Sequence, residues 1–274
     1  MYFKLLRAIV ALCFVLSILP VCAQEKSATV WMEDLTWVEL KARIDAGYTS
    51  VILPTGGLEQ NGPFISLGKH NHVVTHAAQE VATILGHTLV APVLKVVPQG
   101  PMDVPSGNLL FPGTMALREE TFGAVLQDMA LSLAYAGFKR VYLMGDHGQS
   151  QHIQAQVAQR MTQAMQAVNV RVLHVQSYYQ PDLEADYLAR QGIPPDVQGD
   201  HAGVSDTSQI WAVHAEAVRE KALLAHKADQ HTEPTVSGKS GQPELATPEL
   251  GRVLLALRIK AALAEIRQRE GLAK

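Results

Sequence analysis

Along this chain, short apolar runs alternate with longer stretches whose apolar positions recur every three or four residues. Residues 50–54 (SVILP) form a compact β-branched run and predict a buried strand. Residues 71–86 place Val74, Ala77, Ala78, Val81, Ile84 and Leu85 at helical spacing, with Gly86 as a stop. Residues 87–97 (HTLVAPVLKVV) read as extended chain. In residues 116–137, Phe122, Val125, Leu126, Met129 and Leu133 share one helix face, and Gly137 closes it. Residues 139–145 and 170–176 predict strands, and residues 151–168 and 205–218 predict helices. A last helix over 247–270 has Thr247 as N-cap and Pro248 in the first turn.

Strands that alternate with helices predict an α/β fold, a parallel sheet covered on both faces. Ligands of such sheets bind beyond the carboxyl ends of the strands. Three polar, glycine-rich loops are placed to do this. One follows residues 50–54 and carries Glu59, Asn61 and His70; a second, GDHGQSQ, carries Asp146, His147 and Gln149; a third, GDHAGVSDTS, carries Asp200, His201 and Asp206. Carboxylates and imidazoles that converge at strand ends are the material of a zinc-type site. The competing reading is hydrogen-bonded structural histidines. That reading is kept for His72, His76, His87, His152, His174, His214, His226 and His231. No HExxH follows His72, and GxSxG is absent, so two familiar hydrolase signatures are excluded. Residues 231–243 read as a flexible surface loop; their GKS lacks a phosphate loop's upstream glycine, which is Glu233.

Length and composition change this picture little. A chain of 274 residues, 47% hydrophobic, can bury a generous core. A net charge of −3 and the lack of basic clusters mixed with aromatics argue against nucleic acid. The first residues matter more. Lys4 and Arg7 precede an apolar run over residues 8–21, then Val21-Cys22-Ala23. This predicts a signal peptide over residues 1–23, a single domain over 24–274, no stable membrane insertion after cleavage, and a periplasmic or secreted address. The run is about 14 residues, short of the ~20 that span a bilayer. An uncleaved anchor and a lipoprotein at Cys22 are the alternatives, the latter set back by the bulk of Val21. Cys13 and Cys22 both lie in the leader, so the mature chain would have no disulfide, thiolate ligand or cysteine nucleophile.

The loops also carry a resemblance. EQNGPFISLGKH, GDHGQS and HAGVSDTS, with LLFPGTMAL and GQPELATPELG, stand in order over roughly residues 32–268. They resemble the motifs of the creatininase (creatinine amidohydrolase) family. The resemblance implies a three-layer α/β/α fold with a mostly parallel central sheet, often a homohexamer, two divalent metals bridged by an Asp, and hydrolysis of cyclic amides and related C–N bonds. Carried over, Glu59 and His147 match ligands of one metal, and His70 stands where the bridging Asp belongs. Asn61, Gln149 and Val204 replace charged or imidazole groups around the second metal. His201 keeps the family's histidine as a proton-transfer group, with Asp200 before it. An imidazole offers one lone pair to one metal, so the expected site is mononuclear: Glu59, His70 and His147 around one divalent ion per chain, zinc or alternatively manganese. Asn61, Gln149 and Asp206 would then bind a small nitrogenous substrate, and His201 or Asp200 would move the proton. A non-catalytic relative that binds a small ligand, or a structural subunit, would explain the lost charges as well. The segments Val97–Asn108 and Ser177–Tyr187 would shape specificity; Tyr178, Tyr179 and Asp182 are candidates to line the pocket, with exposed loop residues as the default reading.

Overall fold

The computed structural model describes residues 29–226 and 238–271. The leader, both cysteines, His231, Glu233 and the side chain of His226 lie outside the described residues.

Four strands, β1 (Ser50–Thr55), β2 (Thr88–Val90), β3 (Arg140–Gly145) and β4 (Arg171–His174), pair in parallel in the order β2-β1-β3-β4. The long extended stretch expected over residues 87–97 is strand for three residues only. Pro92 has no N–H for the ladder, and beyond it Leu94 and Val97 make single bridges to Thr55 and Ala116.

Nine helices accompany the sheet among the described residues: α1 (Trp37–Asp45), α2 (Lys69–Leu85), α3 (Glu119–Ala136), α4 (Gln151–Ala164), α5 (Pro181–Arg190), α6 (Pro195–Gln198), α7 (Val204–Val213), α8 (Glu220–His226) and α9 (Pro248–Glu270). α1, α5, α6 and α8 are additions to the expected set. α1 buries no residue fully, though Leu40 and Ile44 pack part-buried against the core; its sharper signal is the capping box between Thr36 and Glu39. The helices expected over 151–168 and 205–218 stop early, at Ala164 and Val213, and continue as tight turns.

Alternate strand residues face opposite layers. Val51, Leu53, Val141 and Leu143 pack against Phe122 and Leu126 of α3 and Ile153 and Val157 of α4. Ile52, Tyr142, Met144 and Leu173 pack against Val74, Ala78 and Val81 of α2 and Ile259 and Leu263 of α9. The result is the three-layer α/β/α arrangement. Each fully buried aliphatic or aromatic side chain contributes roughly 1.5–3 kcal/mol. A further cluster joins Phe64, Val73, Ile210 and Leu255, and seats α7 beside α2 and α9. No helix among the described residues is long and apolar enough to cross a membrane.

Candidate metal centre

The two central strands end side by side. The Asp146 N–H donates to the Thr55 carbonyl at 2.9 Å, so the β1–β3 ladder runs one residue past the strands. It carries Asp146 and His147 level with Gly56 and Gly57. Position 56 has no room for a side chain: a Cβ there would lie 2.0 Å from Asn71 Oδ1, an oxygen that accepts from the Gly57 N–H at 3.1 Å. The loop can then turn and sink Glu59.

Glu59 Oε1 lies 2.7 Å from His70 Nε2, and Glu59 Oε2 lies 3.0 Å from His147 Nε2. The two imidazoles meet edge to face, with centroids 5.0 Å apart. All three side chains are buried, and a donor atom from each lies within 4.8 Å of the others. His70 is not a loop residue, as its glycine-rich context suggested. It stands in the first turn of α2, which begins at Lys69 because Lys69 and His70 both find buried anionic partners there.

A second layer of charge fixes this geometry. Asp146 Oδ2 accepts from His70 Nδ1 at 2.8 Å. A carboxylate can only accept, so Nδ1 carries the hydrogen and Nε2 is left for Glu59 or a cation. Asp146 Oδ1 accepts from the Tyr178 hydroxyl at 2.9 Å and from the Arg258 guanidinium. Arg258 is itself buried, donating to the Tyr178 carbonyl at 3.0 Å and to Gln209 Oε1 at 2.7 Å.

Protonation follows from these contacts. Burial raises the Glu59 carboxyl, but the His70 charge and hydrogen bonds from His147 and His70 outweigh it and hold the pKa well below the usual value. Burial and Lys69 push His70 down; Glu59 and Asp146 push harder, and its pKa is raised. Burial dominates at His147, whose pKa is lowered. Asp146 stays ionised, since Arg258 and His70 overcome its burial. Two imidazoles and a carboxylate are a familiar zinc donor set, and Asp146 holds one imidazole in the tautomer that a ligand needs. The residues present fit a single divalent cation.

They fit a second cation poorly. Asn61 is fully buried, but its amide donates to the Glu59 carbonyl at 2.9 Å and only Oδ1 is free of partners among the described residues. Gln149 is exposed. Val204 packs with Leu188 and Leu254 in an apolar cluster. A cation is already nearby: the buried Lys69 ammonium is 2.6 Å from Asp206 Oδ2 and 3.9 Å from Glu59 Oε1.

His201 places Nδ1 3.9 Å from Glu59 Oε1, while its Nε2 donates to the Gln60 carbonyl at 2.9 Å. Asp206 braces the same loop, accepting from the Ala202 N–H at 2.9 Å. Asp200 is exposed and accepts from the Ser240 hydroxyl. It lines, with His70, Tyr179 and Asp206, a cavity of about 630 Å3. Of the segment read as a flexible surface loop, only residues 238–243 are described; there Gly238 and Lys239 are buried, and the Ser240 hydroxyl accepts from the Asp200 and His201 N–H groups at 2.8 and 3.0 Å. Tyr178 is buried rather than exposed; Tyr179 is intermediate and Asp182 exposed.

Sequence patterns pass over Lys69 and Arg258, name Asn108 only as the end of a segment that shapes specificity, and misplace Tyr178 at the surface. Asn108 donates to Glu59 Oε2 from a short turn after β2. Arg258 offers one signal, a charge on an otherwise apolar face of α9 shared with Leu254, Leu255 and Ala262.

The creatininase family pattern, described as creatinine amidohydrolase, matches residues 33–266. A creatinine amidohydrolase from Pseudomonas putida is 28% identical over 206 residues, 73% of this chain and 78% of the relative. A creatininase crystal structure superposes with a TM-score of 0.73 at 24% identity, covering 89% of this chain and 98% of that one. A zinc–zinc form of a creatininase mutant gives 0.70 at 24% identity over 89% and 99%, and a manganese form 0.70 at 23% identity over 88% and 98%. At these identities the superpositions speak for the fold, and the family pattern speaks for descent. A pattern that runs through all three layers and every loop of the site makes this chain a member of the creatininase (creatinine amidohydrolase) family.

Proposed function

We propose that the protein is a metal-dependent hydrolase of a C–N bond in a cyclic amide or related compound, with one divalent cation held by Glu59, His70 and His147. The observation that carries this reading is the convergence of three buried donor atoms within 4.8 Å. Zinc is the preferred ion and manganese the alternative; relatives with this fold are known in both forms. A divalent cation at such a site supplies Lewis acidity and lowers the pKa of water.

The chain's own residues supply the rest. Because a carbonyl can only accept, the His201 hydrogen bond to Gln60 places the proton on Nε2 and leaves Nδ1 as the basic atom facing Glu59. His201 takes a proton from the attacking water and delivers it to the leaving nitrogen. Asp200 lines the adjoining cavity and stands by as its alternative. The free Oδ1 of Asn61 offers an acceptor to a second polar group of the substrate, Gln149 closes the rim, and Asp206 keeps Lys69 and the His201 loop in place. Export through a cleaved leader over residues 1–23 and assembly as a homo-oligomer, a hexamer by resemblance, belong to the same proposal. Lys4, Arg7 and the apolar run that follows support the first; exposed Val104, Leu110 and Met115 on one segment support the second.

A second reading, a non-catalytic binder of a small ligand, is favoured by Lys69, whose ammonium can offset Glu59 without any metal. One experiment separates the two. Purified protein is analysed for metal, with His147→Ala beside it, and then screened against lactams and cyclic ureides. About one zinc or manganese per wild-type chain, none in the variant, and ring opening by wild type alone are expected. A metal-free wild type that still binds a ring compound selects the second reading.

A further inference from the structure

We propose that Gln99 is the residue that reads the substrate's amide, and that the substrate is a cyclic secondary amide or ureide with N–H and C=O on the same side. This inference rests on the C–N hydrolase reading and names the ligand class of the same site.

Gln99 follows β2 and is 2% exposed. Neither Nε2 nor Oε1 has a hydrogen-bond partner among the described residues. Buried amides are almost always bonded, because an unpaired donor or acceptor keeps its full desolvation cost. An amide left open on both atoms is a group held ready for a ligand. Its position says which ligand site. A Cβ on Gly57 would lie 3.4 Å from Gln99 Nε2, 3.4 Å from His147 Cδ2 and 3.4 Å from His70 Cδ2. The amide and both imidazoles thus gather around one bare α-carbon, at the depth of the proposed metal ligands. The next residue leads to the rim, since a Cβ on Gly100 would lie 3.9 Å from Gln149 Oε1.

A carboxamide carries an acceptor and a donor side by side on one carbon. Both are satisfied together only by a ligand that offers a donor and an acceptor on one edge. Open-chain secondary amides are trans and present N–H and C=O on opposite sides, and their cis form is strongly disfavoured. Rings of five or six members hold the amide cis and present both together. Gln99 Nε2 then donates to the substrate carbonyl oxygen, and Oε1 accepts the substrate N–H. When water adds to the carbonyl carbon and the ring C–N bond breaks, that oxygen gains negative charge and the Nε2 hydrogen bond strengthens. One water proton ends on the released nitrogen, and the product carries a carboxylate and an amine (or a urea, from a ureide).

The test measures binding and turnover separately on zinc-loaded protein. The probes are 2-pyrrolidinone, hydantoin and dihydrouracil, their N-methyl derivatives, and open-chain N-methylacetamide, against wild type, Gln99→Leu and Gln99→Met. Both variants replace an unpaired buried amide by apolar groups of similar size, so zinc content and Tm should hold, and either one suffices if the other folds poorly. At least one ring should bind wild type about 10- to 100-fold more tightly than its N-methyl form, the loss of one or two neutral hydrogen bonds, and the variants should lose that preference. Absence of binding by every ring, or unchanged preference in both variants, overturns the inference. A ring that binds through Gln99 but is never opened supports the inference and overturns the hydrolase reading; a ring opened with equal kcat/KM by wild type and both variants does the reverse.

Discussion

Asp146 faces two charged partners at once, the Nδ1–H of His70 on one oxygen and the Arg258 guanidinium on the other. Asp146→Asn therefore has two expected effects. Metal affinity falls about 10- to 100-fold, because the imidazole loses the carboxylate that orients it; titration calorimetry with zinc reads this. Stability falls by about 1–3 kcal/mol, because Arg258 loses its closest carboxylate and keeps only Glu184, at 3.5 Å; urea denaturation reads that. Asp206 gives the pH prediction. Burial raises its pKa, but Lys69, then His70 and His201, lower it to about 2 from an ordinary 3.8. The folded chain binds fewer protons here than the unfolded chain, so the contribution is complete above pH 4 and disappears as pH falls through about 2. At neutral pH it amounts to about 2 kcal/mol. In metal-free protein, wild type should lose that much more stability than Asp206→Asn between pH 5 and pH 2, as followed by denaturant midpoints.

At the scale of elements, local signals account for where most helices sit, and tertiary partners account for where they begin. α9 starts as its sequence says, with Pro248 in the first turn and the Thr247 hydroxyl accepting from the Leu250 N–H at 3.1 Å. Thr247→Ala should cost about 1 kcal/mol, visible as a lower urea midpoint with metal binding unchanged. α2 is the contrast. Gly68 provides no side-chain cap, and the apolar periodicity begins only at Val73 and Val74, so pattern alone starts the helix after His70. The first turn forms because Asp206, Glu59 and Asp146, distant in sequence, bond Lys69 and His70. α1 is marked more weakly, by Leu40 and Ile44 packed part-buried against the core and by its capping box.

For the whole molecule, the carboxyl ends of β1 and β3 hold Glu59 and His147, while α2 and α9, packed on one sheet face, bring His70 and Arg258 to them. A cation bound only by this assembled set must stabilise the fold. At a free metal concentration 100 times Kd the gain is about 2.7 kcal/mol, or about 5–10 °C in Tm for a chain of this size. Chelation should lower the wild-type Tm by that amount and leave the Tm of His147→Ala where it was.

The α/β alternation, the parallel sheet and the post-strand placement of Glu59 and His147 were legible in the chain itself. Period and loop composition are local properties, and strand ends are where such sheets put their polar groups. The same loops put His70 and His201 among the candidates, and the motif resemblance assigned their roles. Lys69 as an internal cation, Asn108 and Arg258 as partners of the carboxylates, and Gln99 as an open amide were decided by the tertiary structure alone. Each is an ordinary polar residue in its own segment. Its chemistry comes from partners dozens of residues away, and burial is what makes those contacts strong.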